Sequence, residues 1–263
     1  MEPTDAPPRP RNRHIYLLPN LLTTCNMFAG FYAILAAANG QFEHACMAVF
    51  VAALFDGVDG RVARLTGTTS EFGVQYDSLA DLVSFGMAPA LVMYHWALVD
   101  MKLDGVLPGK IGWAAAFLYA ACGALRLARF NTQVGVVDKR WFIGLNSPSS
   151  AALMMSFVWT MNNLNYSGDE LRYVAVAVTV SCALLMVSRI RYTSFKGGPK
   201  PAAVDGIKAE RIPFWAMLLV VGILTALFVF QEKGLLAIAL TYALSGPFYW
   251  LWNKIHRKPV TSP

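Results

Sequence analysis

Four aspartates set in apolar sequence, Asp56, Asp59, Asp77 and Asp81, offer the most chemistry in this 263-residue chain. The run Asp56-Gly57-Val58-Asp59-Gly60-Arg61-Val62-Ala63-Arg64 is followed, after eight residues, by Gly73-Val74-Gln75-Tyr76-Asp77-Ser78-Leu79-Ala80-Asp81. A carboxylate at the centre of a membrane span costs about 2.5–3.5 kcal/mol on insertion scales, and less near the interface. Four of them together in a low dielectric repel one another unless they are protonated or bridged by cations. Oxygen-only ligands select hard divalent ions such as Mg²⁺, Mn²⁺ or Ca²⁺. A pair of such ions about 3.5–4 Å apart suits phosphoryl-group chemistry.

The residues between the carboxylates extend the same reading. Gly60 and Gly73 carry no side chain, so a ligand or a partner helix can come close to the backbone there. Arg64, one turn beyond Gly60 at the water boundary, has a guanidinium that can fork onto phosphate oxygens. A metal site beside an anion clamp implies a nucleotide or pyrophosphate ligand. Taken singly, either glycine also fits a helix-packing contact, and a lone intramembrane aspartate fits a pair with an arginine. The complete spacing D-x-x-D-G-x-x-A-R-x8-G-x3-D-x3-D is too specific for those readings.

Helices are the elements that must position these groups. On a helix Asp56 and Asp59 share a face with Gly60 and Ala63, and Asp77 and Asp81 share a face with Gly73. Leu65 to Phe72, containing Thr-Gly-Thr-Thr-Ser, reads as a short cytosolic turn, so two antiparallel helices show two carboxylates each to the other. The chain is 56% apolar and 14% charged, against about 45–50% and 25% in soluble domains. Its apolar residues fall into eight stretches long enough to span a bilayer, at about 16–38, 44–64, 74–98, 111–130, 143–162, 171–189, 212–230 and 234–252. The expected fold is therefore all-α, a polytopic membrane protein of about eight transmembrane helices.

The net charge of +6 needs no nucleic acid to explain it. With eight spans, 18 of the 22 Lys and Arg residues fall on the side of the termini, and only Lys102, Lys110, Arg172 and Lys233 fall on the other. By the positive-inside rule both termini are cytoplasmic, and so is the end of the helices that carries the aspartates. Residues 1–14 read as a disordered cytosolic tail without the features of a signal peptide, and residues 15–263 as a single transmembrane catalytic domain. Cys25, Cys46, Cys122 and Cys182 are scattered singly, which excludes a disulfide framework or a zinc site. His14, His44, His95 and His256 are dispersed and receive no catalytic role, while Trp96, Trp113, Trp141, Trp250 and Trp252 lie near span ends as interfacial anchors.

The constellation from Asp56 to Asp81 resembles the signature of the CDP-alcohol phosphotransferase family at every fixed position. That resemblance implies a six-helix core and divalent metal, Mg²⁺ or Mn²⁺ and two ions, on Asp56, Asp59, Asp77 and Asp81. It also implies a CDP moiety near Gly60, Ala63, Arg64 and Gly73, Asp81 as the base, and a homodimer contact. Flanking text, Leu18-Pro19-Asn20-Leu21 through Asn26 and Gly30, Ser78 to Ala90, Arg126 to Asn131 and Phe142 to Pro148, resembles the serine-accepting integral-membrane branch found in bacteria. Asn146 departs from that branch, where a Gly-Leu-Pro-x-Pro pattern is expected.

This branch implies CDP-diacylglycerol and L-serine as substrates, in the inner membrane of a bacterium. The phosphatidyl group would pass to the serine hydroxyl with release of CMP. The motif holds carboxylates but no His-activated Ser or Cys, so a single direct displacement is expected rather than a covalent route. Serine also needs a cation for its carboxylate. Arg126 and Arg129, on one face at the end of the fourth span, with Asn131, Lys139 and Arg140, are the candidates to hold serine or the lipid phosphate; positive-inside anchoring is the plainer alternative for each. Rival acceptors are those of phosphatidylglycerol phosphate and phosphatidylinositol phosphate synthesis. A cation transporter is the rival from another class, and it gives Gly60, Ala63 and Arg64 no role.

Overall fold

The computed structural model describes residues 17–67, 70–133, 141–193 and 214–256. The proposed N-terminal tail lies outside the described residues, as do Lys139, Arg140 and most of the loop after the sixth span. Six apolar segments form the expected core: α1 (Leu17–Ala38), α2 (Phe42–Leu65), a continuous rod made of α3 (Glu71–Asp81), a π-helical stretch (Leu82–Met87) and α4 (Ala88–Trp96), then α5 (Val106–Gln133), α6 (Ser147–Asn163) and α7 (Arg172–Val187). A 3₁₀ helix (Leu98–Asp104) precedes α5, and α8 (Phe214–His256) follows the core. Among the described residues, four helices are long and apolar enough to cross a membrane. The all-α membrane architecture expected from hydropathy is the one the chain adopts.

Local chemistry explains the boundaries that matter for the site. Thr66 closes α2, its hydroxyl donating to the Val62 carbonyl at 2.8 Å, and Gly67 turns the chain with φ +63°, a backbone state that costs glycine little. Ser70 then opens α3 as its N-cap, accepting from the Gly73 N–H at 3.0 Å. This turn makes α2 and α3 antiparallel neighbours. At α6 the N-cap is Asn146, whose side chain accepts from the Ser149 N–H at 2.7 Å just ahead of Pro148. The departure from the proline pattern thus replaces one helix-start device with another.

The π-helical stretch follows from Pro89. Proline has no N–H to give the Phe85 carbonyl four residues back, and the buried Tyr119 hydroxyl of α5 donates to that carbonyl at 3.1 Å instead. The wider turn buries Ser84, Phe85 and Gly86. It also brings Ser84 against α1, where the Ser84 hydroxyl donates to the Asn26 carbonyl at 2.9 Å. Gly30 permits the approach, since a Cβ there would lie 2.7 Å from the Ser84 Cα.

Two features differ from the reading of eight separate spans. The seventh and eighth apolar segments lie within one helix of 43 residues. The polar Gln231-Glu232-Lys233 that divides them in sequence consists of good helix formers, so it marks a change of hydropathy without stopping the helix. Secondly, a two-stranded antiparallel ribbon pairs β1 (Trp141–Ile143) with β2 (Arg191–Thr193). Tyr192 of β2 is buried, donates to the Ala243 carbonyl of α8 at 3.1 Å, and sits where a side chain on Gly246 would have to go.

Candidate active site

The turn between α2 and α3 brings the carboxylates together as the spacing requires. Asp56, Asp59 and Asp77 each offer an oxygen within 4.8 Å of the others. Asp59 is almost fully buried, and Thr23 of α1 places its hydroxyl 2.9 Å from Asp59 Oδ2 and 3.1 Å from the Pro19 carbonyl. That hydroxyl has one proton, so it serves one of these acceptors at a time. Asp77 Oδ1 is buried and has no hydrogen-bond partner among the described residues. An oxygen-only set with a partnerless buried oxygen fits a hard divalent cation.

Asp81 lies one turn further along α3, outside that group of three. Its Oδ1 accepts from Asn26 Nδ2 at 3.2 Å, while the charges of Asp56, Asp77 and Asp59 all act on it. The structure thus separates a trio able to hold a cation from a fourth carboxylate held by an amide.

The two glycines of the motif have different surroundings. A Cβ on Gly60 would meet nothing within 4 Å among the described residues, so no described helix packs against the backbone there. Gly73 lies under its own cap, where a Cβ would come 3.2 Å from Ser70 Oγ and 3.7 Å from Asn20 Oδ1. Gly60 thus leaves room at its backbone, while Gly73 lies close to its own capping serine. Ala63 is half-buried beyond Gly60 on α2, and the backbone of Arg64 continues that helix.

The cations expected for the acceptor fall into distinct environments. Arg126 is half-buried on α5, with a guanidinium NH donating to the Ser147 hydroxyl at 2.8 Å and a buried Nε without a partner. Arg129 is half-buried one turn on. The Asn131 amide donates to Ser78 Oγ at 3.0 Å, tying the end of α5 to α3. At the opposite end of the bundle Arg172 forks onto both oxygens of Asp104, each at 2.6 Å. In the loop beside it the Ser167 hydroxyl holds the Asp169 carboxyl below its ordinary range.

Sequence reasoning assigned no role to Thr23 or Tyr76, and it noted Asn26 only as part of a resemblance. The Thr24 hydroxyl lies 2.9 Å from the Tyr76 hydroxyl, so Thr23, Thr24 and Asn26 of α1 all reach the helices that carry the aspartates. The available signal was Asn20, Thr23, Thr24 and Asn26 within an otherwise apolar 22-residue helix.

A profile described as CDP-alcohol phosphatidyltransferase matches residues 16–187, which end with α7. The CDP-diacylglycerol–serine O-phosphatidyltransferase of Helicobacter pylori (strain ATCC 700392 / 26695) is 41% identical over 182 residues, covering 69% of this chain and 74% of that protein. The archaetidylserine synthase of Methanothermobacter thermautotrophicus is 38% identical over 182 residues, covering 68% of this chain and 71% of that protein.

Proposed function

Because the chain belongs to the CDP-alcohol phosphatidyltransferase family, we propose that it transfers the phosphatidyl group of CDP-diacylglycerol to the hydroxyl of L-serine, forming phosphatidylserine and CMP. The observation that carries this reading is the convergence of Asp56, Asp59 and Asp77 from two helices, with Asp81 held apart by Asn26. The two relatives support serine as acceptor: their names differ in the lipid half and agree on the serine half. Nothing in the geometry favours glycerol phosphate or inositol phosphate, and ion conduction leaves the open backbone at Gly60 without a purpose.

Asp56, Asp59 and Asp77 would hold the divalent metal, with Asp81 as the further ligand expected from the sequence. Bound there, the metal supplies charge neutralisation for the pyrophosphate and for departing CMP. The chain's own residues do the rest. The open backbone at Gly60, with Ala63 and Arg64 beyond it, receives the CDP half at the mouth of the α2–α3 turn. Asn26 engages one oxygen of Asp81 and leaves the other to accept the serine hydroxyl proton. The serine oxygen then forms its bond to the lipid-bearing phosphorus as the bond to the CMP oxygen breaks, and CMP leaves with that electron pair.

We place residues 15–263 in the bacterial inner membrane as one catalytic unit with its site on the cytoplasmic side. The end of the bundle bearing the α2–α3 turn carries Arg61, Arg64, Arg126 and Arg129, whereas the other end carries Lys102, Lys110 and Arg172, so the positive-inside bias follows the site. The lipid-facing surfaces would also carry a homodimer contact. The deciding experiment is CMP release by the purified protein with CDP-diacylglycerol, with and without L-serine, Mg²⁺ and Mn²⁺. Release that depends on serine and on a divalent ion is expected. Release driven by glycerol 3-phosphate or inositol phosphate, and not by serine, would overturn the acceptor.

A further inference from the structure

Asp81 is flanked by two buried groups that the fold leaves incomplete, one an acceptor and one a donor. Asn26 is fully buried on α1; its amide nitrogen is committed to Asp81, its carbonyl oxygen Oδ1 has no partner, and its main-chain oxygen takes the Ser84 hydroxyl. The bond to Asp81 orients the amide and leaves Oδ1 open. On α5, Arg126 gives one terminal nitrogen to the Ser147 hydroxyl at the start of α6, while its buried Nε–H has no acceptor among the described residues. The Asp81 charge acts on the Arg126 guanidinium, yet no hydrogen bond or ion pair joins them among the described residues. Most buried polar groups in folded proteins are satisfied, so an unmatched acceptor and an unmatched cationic donor around one carboxylate describe the complement of a ligand.

That complement is a zwitterion bearing a hydroxyl. Resting on the serine-transfer reading, we propose that Asn26 Oδ1 accepts from the ammonium of serine and Arg126 Nε–H donates to its carboxylate, with the hydroxyl left at Asp81, making these two residues the determinants of acceptor specificity. Asn131, expected from sequence to share this task, is engaged with Ser78. A phosphorylated polyol has no ammonium to satisfy Oδ1. Sites built to hydrogen-bond a substrate group reject analogues that lack it far more strongly than apolar pockets do, because the buried partner is then left unpaired.

The test uses the full-length protein in lipid nanodiscs and three acceptors: L-serine, ethanolamine, which lacks the carboxylate, and 3-hydroxypropanoate, which lacks the ammonium. The readout is the ratio of kcat/KM between acceptors, or of inhibition of serine transfer where an analogue does not turn over. Arg126→Met should lower the serine-to-ethanolamine ratio by about 10- to 100-fold and leave the serine-to-3-hydroxypropanoate ratio nearly unchanged. Asn26→Val should do the reverse. If Arg126→Met does not fold, Arg126→Lys, which keeps the charge and removes the Nε–H, should move the same ratio in the same direction. Parallel loss with all three acceptors, or ratios that do not move, would overturn the assignment and leave serine transfer standing. A wild-type protein indifferent to serine would overturn the transfer reading itself.

Discussion

Replacing Gly60 with alanine separates a ligand contact from a helix-packing contact, because the structure assigns the two opposite signs. A Cβ at Gly60 meets nothing within 4 Å among the described residues, so the described fold loses nothing to sterics. The substitution removes the entropic cost of glycine inside a helix, about 0.5–1 kcal/mol. At about 2–4 °C per kcal/mol for a protein of this size, the melting temperature in detergent should stay level or rise by a few degrees. The methyl group projects about 1.5 Å from Cα into the space assigned to the CDP half. Misplacing a reacting group by about 1 Å can cost 10²-fold, so kcat/KM for CDP-diacylglycerol should fall by about 10- to 100-fold, with the KM for L-serine unchanged. Thermal unfolding and CMP release, varied against each substrate, read the two effects separately. Wild-type kinetics would show that nothing approaches this backbone. A melting temperature lowered by several degrees would show that Gly60 is a packing residue after all.

Gly30→Ala should behave oppositely: its Cβ would lie 2.4 Å from Ser84 Oγ and 2.7 Å from Ser84 Cα, and overpacking of this kind costs about 1–3 kcal/mol. Its melting temperature should fall, and Ser84→Ala should fail to rescue it because the Ser84 backbone stays in place. Asp81→Asn should lower kcat by at least about 10²-fold while calorimetry finds CDP binding within a few-fold of wild type; normal turnover would place the base elsewhere. EDTA should abolish CMP release, and Mg²⁺ or Mn²⁺ at about 100 times its Kd should stabilise the substrate-free protein by about 2.7 kcal/mol, a rise that Asp77→Asn should remove. Asn146→Ala should lose the α6 cap, about 1 kcal/mol, and lower the melting temperature with acceptor selectivity intact.

The carboxylate site was legible because its information is local. Asp56 and Asp59, and Asp77 and Asp81, are fixed to their faces by helical periodicity, and the Thr-Gly-Thr-Thr-Ser run announces the turn that apposes them. Thr23 and Asn26 could not be assigned in the same way, since their partners lie 36 and 55 residues away and no periodicity pairs them. Arg126 and Arg129 look equivalent in sequence, on one helical face three residues apart; only the packing of α6 shows that Arg126 is the one held by Ser147. The π-helical stretch was hidden for a similar reason. Pro89 announces a missing donor, but the Tyr119 hydroxyl that compensates comes from another helix. At α8 the sequence misled, because the polar residues between two apolar stretches resemble a loop by hydropathy and are helix formers by propensity.

The cost of the site explains why α1 takes part in it. Of the six buried side-chain atoms without partners among the described residues, three belong to Asn26, Asp77 and Arg126, and the others lie on α6. Each such atom costs about 1–3 kcal/mol, so the three at the site together approach the whole net stability of a typical domain, about 5–15 kcal/mol. The groups beside them are satisfied: the Thr23 hydroxyl reaches Asp59, Tyr119 donates to Phe85, and Ser147 accepts from Arg126. A fold able to satisfy those neighbours had the means to complete the three as well. Leaving an acceptor, an anion and a cationic donor open near Asp81 makes sense where bound groups close the set, and the Asn26 contact from α1 holds Asp81 in place for them.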